Sequence, residues 1–124
     1  QFFGDNQTIE KEAISDLDKG FVSRFKSLVE ERMKDAELNV EDLGRNMGMS
    51  RVQLYRKLKS LTNYSPNELL RQMRLKKAAS LLASSDMTVA EIAYEVGFSS
   101  PSYFTKCYKE QFGESPTEFL KRRG

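Results

Sequence analysis

The sequence predicts an all-α fold: two helix-turn-helix units joined by a central connecting helix, about seven helices in all. Three observations predict it. The string SPNELL (65–70) returns as SPTEFL (115–120). The longer string VEDLGRNMGMSRVQLYRKLK (40–59) returns as VAEIAYEVGFSSPSYFTKCYK (89–109). Between the copies, apolar residues recur at helical spacing.

The elements follow in chain order. Residues 1–17 show no clean period and read as linker. From Asp18 onward the pattern is helical, with Phe21, Val22, Phe25, Leu28, Val29 and Met33 on one stripe. Asn39, followed by Asp42, caps a short helix that Gly48 ends, and Ser50 starts the next. The two copies align at an offset of forty-nine from Val40/Val89 through Gly48/Gly97 to Ser50/Ser99. The offset is fifty from Leu54/Phe104 through Asn63/Gly113 to Ser65/Ser115. One extra residue is therefore expected near the start of the second helix of unit two. Each SPxE string starts a third helix: Ser caps, Pro takes the first helical position without losing a hydrogen bond, and Glu closes a capping box. Thr88 to Glu91 forms another such box, and Ser100-Pro101 opens the second helix of unit two. Unit one then covers about 18–64, the connecting helix about 66–84 and unit two about 86–124. The connecting helix carries a mostly apolar stripe of Leu69, Leu70, Met73, Lys77, Leu81 and Leu82, with Ala78 and Ala79 permitting close packing. Its nineteen residues span about 28 Å.

Composition narrows the function. Charged residues make up 31% and hydrophobic ones 39% of 124 residues, and the net charge is +2. That charge is uneven: residues 1–50 carry −4 and residues 51–124 carry +6. A basic half suits a polyanion. No apolar run reaches the roughly 18 residues of a membrane span, so no membrane contact is expected. The chain begins QFFGDNQ, without Met or a leader pattern, and is expected to be part of a longer cytoplasmic protein. With no His and one Cys, neither a zinc site nor a histidine-based triad is expected, and Cys107 reads as a small core residue. No cofactor, metal or catalytic residue is expected. A small hydrolase lacks His, a paired nucleophile and a Gly-rich phosphate loop. An α-helical adaptor that binds protein partners is the other alternative, and it would need an exposed apolar groove.

The second helix of each unit carries the candidate site. At 100° per residue, Leu54 and Leu58 define a buried side. Val52, Arg56, Lys59 and Ser60 lie opposite, flanked by Tyr55 and Gln53. In unit two, Phe104 and Tyr108 are buried, and Ser102, Lys106 and Lys109 lie opposite, flanked by Tyr103 and Thr105. Arg56 and Lys106 are equivalent, as are Lys59 and Lys109. This chemistry fits double-stranded DNA: Arg pairs with guanine O6/N7, while Thr and Val methyls suit thymine. The helix starts at Arg51 and Ser100 offer groups to a phosphate, and Lys59 and Lys109 are further phosphate candidates. Tyr55 suits either a base contact or rim packing. Lys76 and Lys77 are either solvated or touch a phosphate.

The strings SRVQLYRKLK, SPNELLRQMRLKKAASLL, EIAYEVGFSSPSYFTKCYKEQFGESP and TEFLKRR resemble the AraC/XylS family of bacterial transcription regulators. The likeness covers roughly residues 20–123. It is greatest to the C-terminal output domains of hybrid two-component sensor kinase/response regulators. The resemblance implies sequence-specific binding of double-stranded DNA, with one recognition helix of each unit in adjacent major grooves. The family's base-contacting positions fall on Val52, Tyr55 and Arg56, and on Pro101, Ser102, Thr105 and Lys106. Pro101 departs from the pattern, because it has no N–H and no polar side chain. Asn63 stands where the family usually has Gly, and Asn also tolerates a left-handed backbone. RNA polymerase and the parent chain's N-terminal input domains are the further partners expected of such a module.

Overall fold

The structure, a computed structural model, describes residues 15–123. Most of the segment read as linker, residues 1–14, lies outside the described residues. Among the described residues there are seven helices and no strand. They are α1 Asp16–Arg32, α2 Val40–Asn46, α3 Arg51–Thr62, α4 Pro66–Ser84, α5 Val89–Glu95, α6 Pro101–Phe112 and α7 Pro116–Arg123.

Helix α1 begins two residues before the periodic pattern does. Ser15 caps it through Asp18 N–H, and Asp16 and Asp18 occupy its first turn. Asp16 to Gly20 bury almost nothing (Leu17 is 86% exposed), so hydrophobic periodicity carries no signal there. The capping residue and the first-turn acids do carry one.

Two apolar cores hold the chain. Phe25 and Val29 of α1, Leu38, Val40, Leu43, Leu54, Leu58, Leu69 and Leu70 form the first. Leu75, Ala78, Leu82, Ile92, Val96, Phe98, Phe104, Cys107 and Tyr108 are among those that form the second. A fully buried Leu or Phe contributes about 1.5–3 kcal/mol, so each unit has a core of its own. Cys107 sits in the second core, as its position beside Phe104 and Tyr108 suggested.

The connecting helix departs from the single stripe read in the sequence. Lys77 is exposed, while Leu75 is buried. Leu69, Leu70 and Met73 pack on the first core, and Leu75, Ala78 and Leu82 on the second. At 100° per residue these two sets point roughly 170° apart. The helix serves one core with each side, and a search for one stripe averages the two.

The duplicated turns differ by one residue, as expected, but the extra residue lies elsewhere. Ser50 and Ser100 cap α3 and α6, which are both twelve residues long. They are the equivalent serines, and Ser99 is the insertion, inside the turn rather than in the helix. In the shorter turn the Met49 carbonyl oxygen would lie 2.7 Å from a Cβ on Gly44. The longer turn accommodates Ala93 at the matching position. In both, the residue after the glycine returns a hydrogen bond to that position, from Met49 N–H to Gly44 O and from Phe98 N–H to Ala93 O.

Candidate nucleic-acid interface

Helices α3 and α6 are held alike. Leu54 and Leu58 anchor one, and Phe104 and Tyr108 the other, all nearly or fully buried. Each ends in a left-handed residue, Asn63 at φ 68° and Gly113 at φ 83°. The Asn therefore adopts the conformation for which Gly is the usual choice. Each is followed by an SPxE cap. Ser65 N–H donates to Glu68 Oε1 at 2.8 Å, and Glu68 N–H to Ser65 Oγ at 3.2 Å. Ser115 and Glu118 repeat the pair at 2.7 and 3.1 Å. The backbone N–H of each serine holds its glutamate carboxyl below the usual range.

The outer faces lie where the periodicity placed them. Arg51, Val52, Tyr55, Arg56, Lys59, Ser102, Lys106 and Lys109 are exposed, and Ser100, Pro101 and Thr105 are half-buried. Val52 is 57% and Tyr55 47% exposed. Among the described residues, none of Arg51, Arg56, Lys59, Lys106 and Lys109 forms an ion pair. Some cations elsewhere do: Lys57 pairs with Asp18 at 3.7 Å and lies over the Phe21 ring, and Arg122 pairs with Glu114 at 2.6 Å. The cations on the outward faces of α3 and α6 are thus left available to an anion.

Three details refine the sequence reading. Gln53, placed at the flank of the outer face, is engaged in a capping box with Ser50 (2.9 and 3.2 Å). Ser100 Oγ accepts Tyr103 N–H at 3.2 Å, leaving its O–H to donate. Lys59 and Lys109 lie near enough to Glu68 and Glu118 to help lower those carboxyl pKa values, so both have a second electrostatic role in the last turns of their helices. The repeat alignment pairs Tyr94 of α5 with Arg45. Tyr94 is 52% exposed and was not singled out from the sequence, where it read as part of a short helix.

Among the described residues, no helix is long and apolar enough to cross a membrane, and no cluster of metal-ligating side chains occurs. A cleft of about 510 Å³ between α1 and α4 is lined by Lys26, Glu30, Met33, Met73, Lys76 and Lys77. Four of these six are charged.

Two short helix-turn-helix units, each presenting a serine-capped second helix with a cationic outer face, define a protein of the DNA-reading helix-turn-helix class. Residues 43–122 match a helix-turn-helix domain family. The chain belongs to this family, which is of the AraC type. It is 37% identical over 109 residues to Histidine kinase P4 of Formosa agariphila, covering 88% of this chain and 8% of that protein. It is 34% identical over 103 residues to the Msm operon regulatory protein of Streptococcus mutans, covering 83% and 37%. Among solved structures, the C-terminal domain of AraT, a response regulator from Geobacillus stearothermophilus, superposes with a TM-score of 0.78 at 28% identity, covering 90% of this chain and 88% of that one. The DNA-binding domain of AdpA, in complex with a target DNA, gives 0.76 at 30% identity, covering 81% and 89%. The chain thus spans well under half the length of these curated relatives.

Proposed function

We propose that this protein is the DNA-reading output module of a bacterial transcription regulator, placing α3 and α6 in adjacent major grooves. The observation that carries the reading is the matched pair of exposed, unpaired cations, Arg56 and Lys106, at equivalent positions of two equally long helices. Arg56, Val52 and Tyr55 read bases in unit one. Ser102, Thr105 and Lys106 do so in unit two, where Pro101 removes a polar contact. Arg51, Lys59, Ser100 and Lys109 hold phosphates. The module spans about 18–124, works in the cytoplasm, has no catalytic chemistry of its own, and takes its signal from N-terminal input domains and passes it to RNA polymerase. The likeness to a histidine kinase and to a response-regulator C-terminal domain supports that placement.

Selection from a random duplex library, followed by footprinting and a salt titration of the enriched duplex, tests this. Two protected half-sites about one helical turn apart are expected, with log affinity falling by about 0.9 per phosphate contact for each tenfold rise in salt. Failure to enrich any sequence would overturn the reading.

A further inference from the structure

Gly48 and Gly97 are repeat equivalents, and both have positive φ, 70° and 96°. Their surroundings differ. A Cβ on Gly48 would meet nothing within 4 Å. One on Gly97 would overlap the Met33 carbonyl oxygen and lie 2.8 Å from Nε of Arg74. Met33 belongs to unit one, in the loop that follows α1. The turn of unit two therefore packs directly on unit one, and the turn of unit one has no such neighbour.

Arg74 sits at the centre of this joint. It lies on α4 between Met73, which serves the first core, and Leu75, which serves the second. Its Nη2 donates to the Asp35 carbonyl oxygen at 2.8 Å. Its Nε is buried with no acceptor among the described residues. Burial lowers its pKa, and nearby Asp35 partly offsets that. A surface arginine would meet neither condition. The loop it grips is itself fixed: Asp35 Oδ1 accepts Glu37 N–H at 2.9 Å, and Leu38, whose N–H donates to the Asp35 carbonyl, is buried. Beside it Lys34 pairs with Glu95, the last residue of α5, at 3.1 Å. That pair is exposed and contributes little.

Helix α4 alone sets a length but not an angle, because its two cores lie on opposite sides and share no residues. A bend of about 14° at its centre moves the end of a half-length arm of about 14 Å by about 3.4 Å, one base-pair step. We propose that Arg74 and Gly97 are positioning residues: the joint they form with the Met33–Asp35 loop fixes the angle between α3 and α6, and so selects the half-site spacing the protein accepts on DNA. This rests on the DNA-reading function above.

The test uses the enriched duplex and versions with one base pair added or removed between the half-sites. Arg74→Met should lose about tenfold on the native spacing, because the second site is no longer presented at the right geometry. Its ranking of spacings should flatten, while affinity for an isolated half-site and its base preference stay within about twofold of wild type. Gly97→Ala should do the same. Gly48→Ala carries a comparable backbone strain without touching the joint, and should keep the wild-type ranking. If Arg74→Met and Gly97→Ala keep that ranking at full affinity, the proposal is wrong while the DNA reading stands. If the wild type enriches no duplex, the DNA reading itself falls and takes the proposal with it. Pulsed spin-label distances between Ser60→Cys and Glu110→Cys, with Arg74 and Gly97 intact, guard against variants that fail to fold. One narrow distance is expected, and a broad distribution would overturn the proposal by itself.

Discussion

Arg56 and Lys106 are exposed, sit at equivalent turns of the two outer faces, and form no ion pair with a carboxylate among the described residues. A guanidinium free of internal partners can form the bidentate pair with guanine without first breaking an ion pair. Replacing either residue with Ala should weaken binding to the enriched duplex by about 1–3 kcal/mol and relax preference at one or two base positions. Competition against single-base variants of the duplex measures both effects, and unchanged preference in both mutants would remove these residues from the reading face. Lys59 and Lys109 are different, because Glu68 and Glu118 already feel them. Their Ala variants should bind all sequences more weakly and alike, with a salt slope smaller by about 1. An effect confined to one base would mean they read rather than hold. A loss of thermal stability with an unchanged salt slope would mean that their part is to complement the helix ends and the capping carboxylates.

Capping boxes recur at the starts of α3, α4, α5 and α7, and this makes the elements easy to locate from the sequence. The carboxyls of Glu68 and Glu118 have folded pKa values below their ordinary value, chiefly through the Ser65 and Ser115 backbone N–H groups. A depressed carboxyl pKa contributes stability that is present above the unfolded value and is lost as pH falls through the folded one. The double variant Glu68→Gln/Glu118→Gln keeps the acceptor, as Gln53 does in α3, without the ionisation. Its melting temperature should fall less than that of the wild type between pH 6 and about pH 3, and parallel curves would show that the boxes do not titrate. Helix α4 carries a second prediction. Lys77→Pro removes a hydrogen bond near its middle and should cost about 3 kcal/mol or more. Footprints should shrink to one half-site, whereas a full footprint at unchanged affinity would show that the continuous helix is not needed. The same elements show where sequence reading succeeds. Caps, left-handed helix ends and outer faces depend on neighbours within four residues, so SPxE, Asn63 and Arg56 were legible. Leu75 was not, because its partners Ile92 and Phe104 lie far along the chain and on the other side of α4 from Leu70. The placement of Ser99 required knowing which serine caps, and two adjacent serines look alike until the helix start is seen. Gly97 read as a turn residue like Gly48, since nothing local reveals the Met33 carbonyl against it.

At the scale of the whole molecule, two recognition helices must meet a straight duplex whose successive major grooves on one face lie about 34–36 Å apart. Helix α4, at nineteen residues, spans about 28 Å. The units extend to either side of it, since each core packs on one flank. That extension is limited by the joint at Arg74 and Gly97, which holds unit two against the loop of unit one. A held pair of units meets the remaining shortfall in one of two ways: the duplex bends toward the protein, or one helix docks shallowly. Pro101 favours shallow docking of α6, since the first position of that helix offers no polar contact where Arg51 stands in α3. Against it stand the exposed Ser102 and Lys106, whose contacts are made only if α6 enters the groove. Bending a site of this length by tens of degrees costs on the order of 1–6 kcal/mol. One or two base contacts of about 1–3 kcal/mol each, with the accompanying phosphate contacts, offset a cost in the lower part of that range. Bending should therefore win, with flexible pyrimidine–purine steps enriched between the half-sites. Circular-permutation gel shifts on the enriched duplex should show mobility that depends on the position of the site. Uniform mobility with both half-sites protected would mean that the units reach both grooves of straight DNA. Uniform mobility with only the α3 half-site protected would mean that α6 docks shallowly and that reading by unit two is weak. Arg74→Met, by loosening the joint, should reduce the bend at the wild-type spacing, which ties the DNA geometry to the protein's own rigidity.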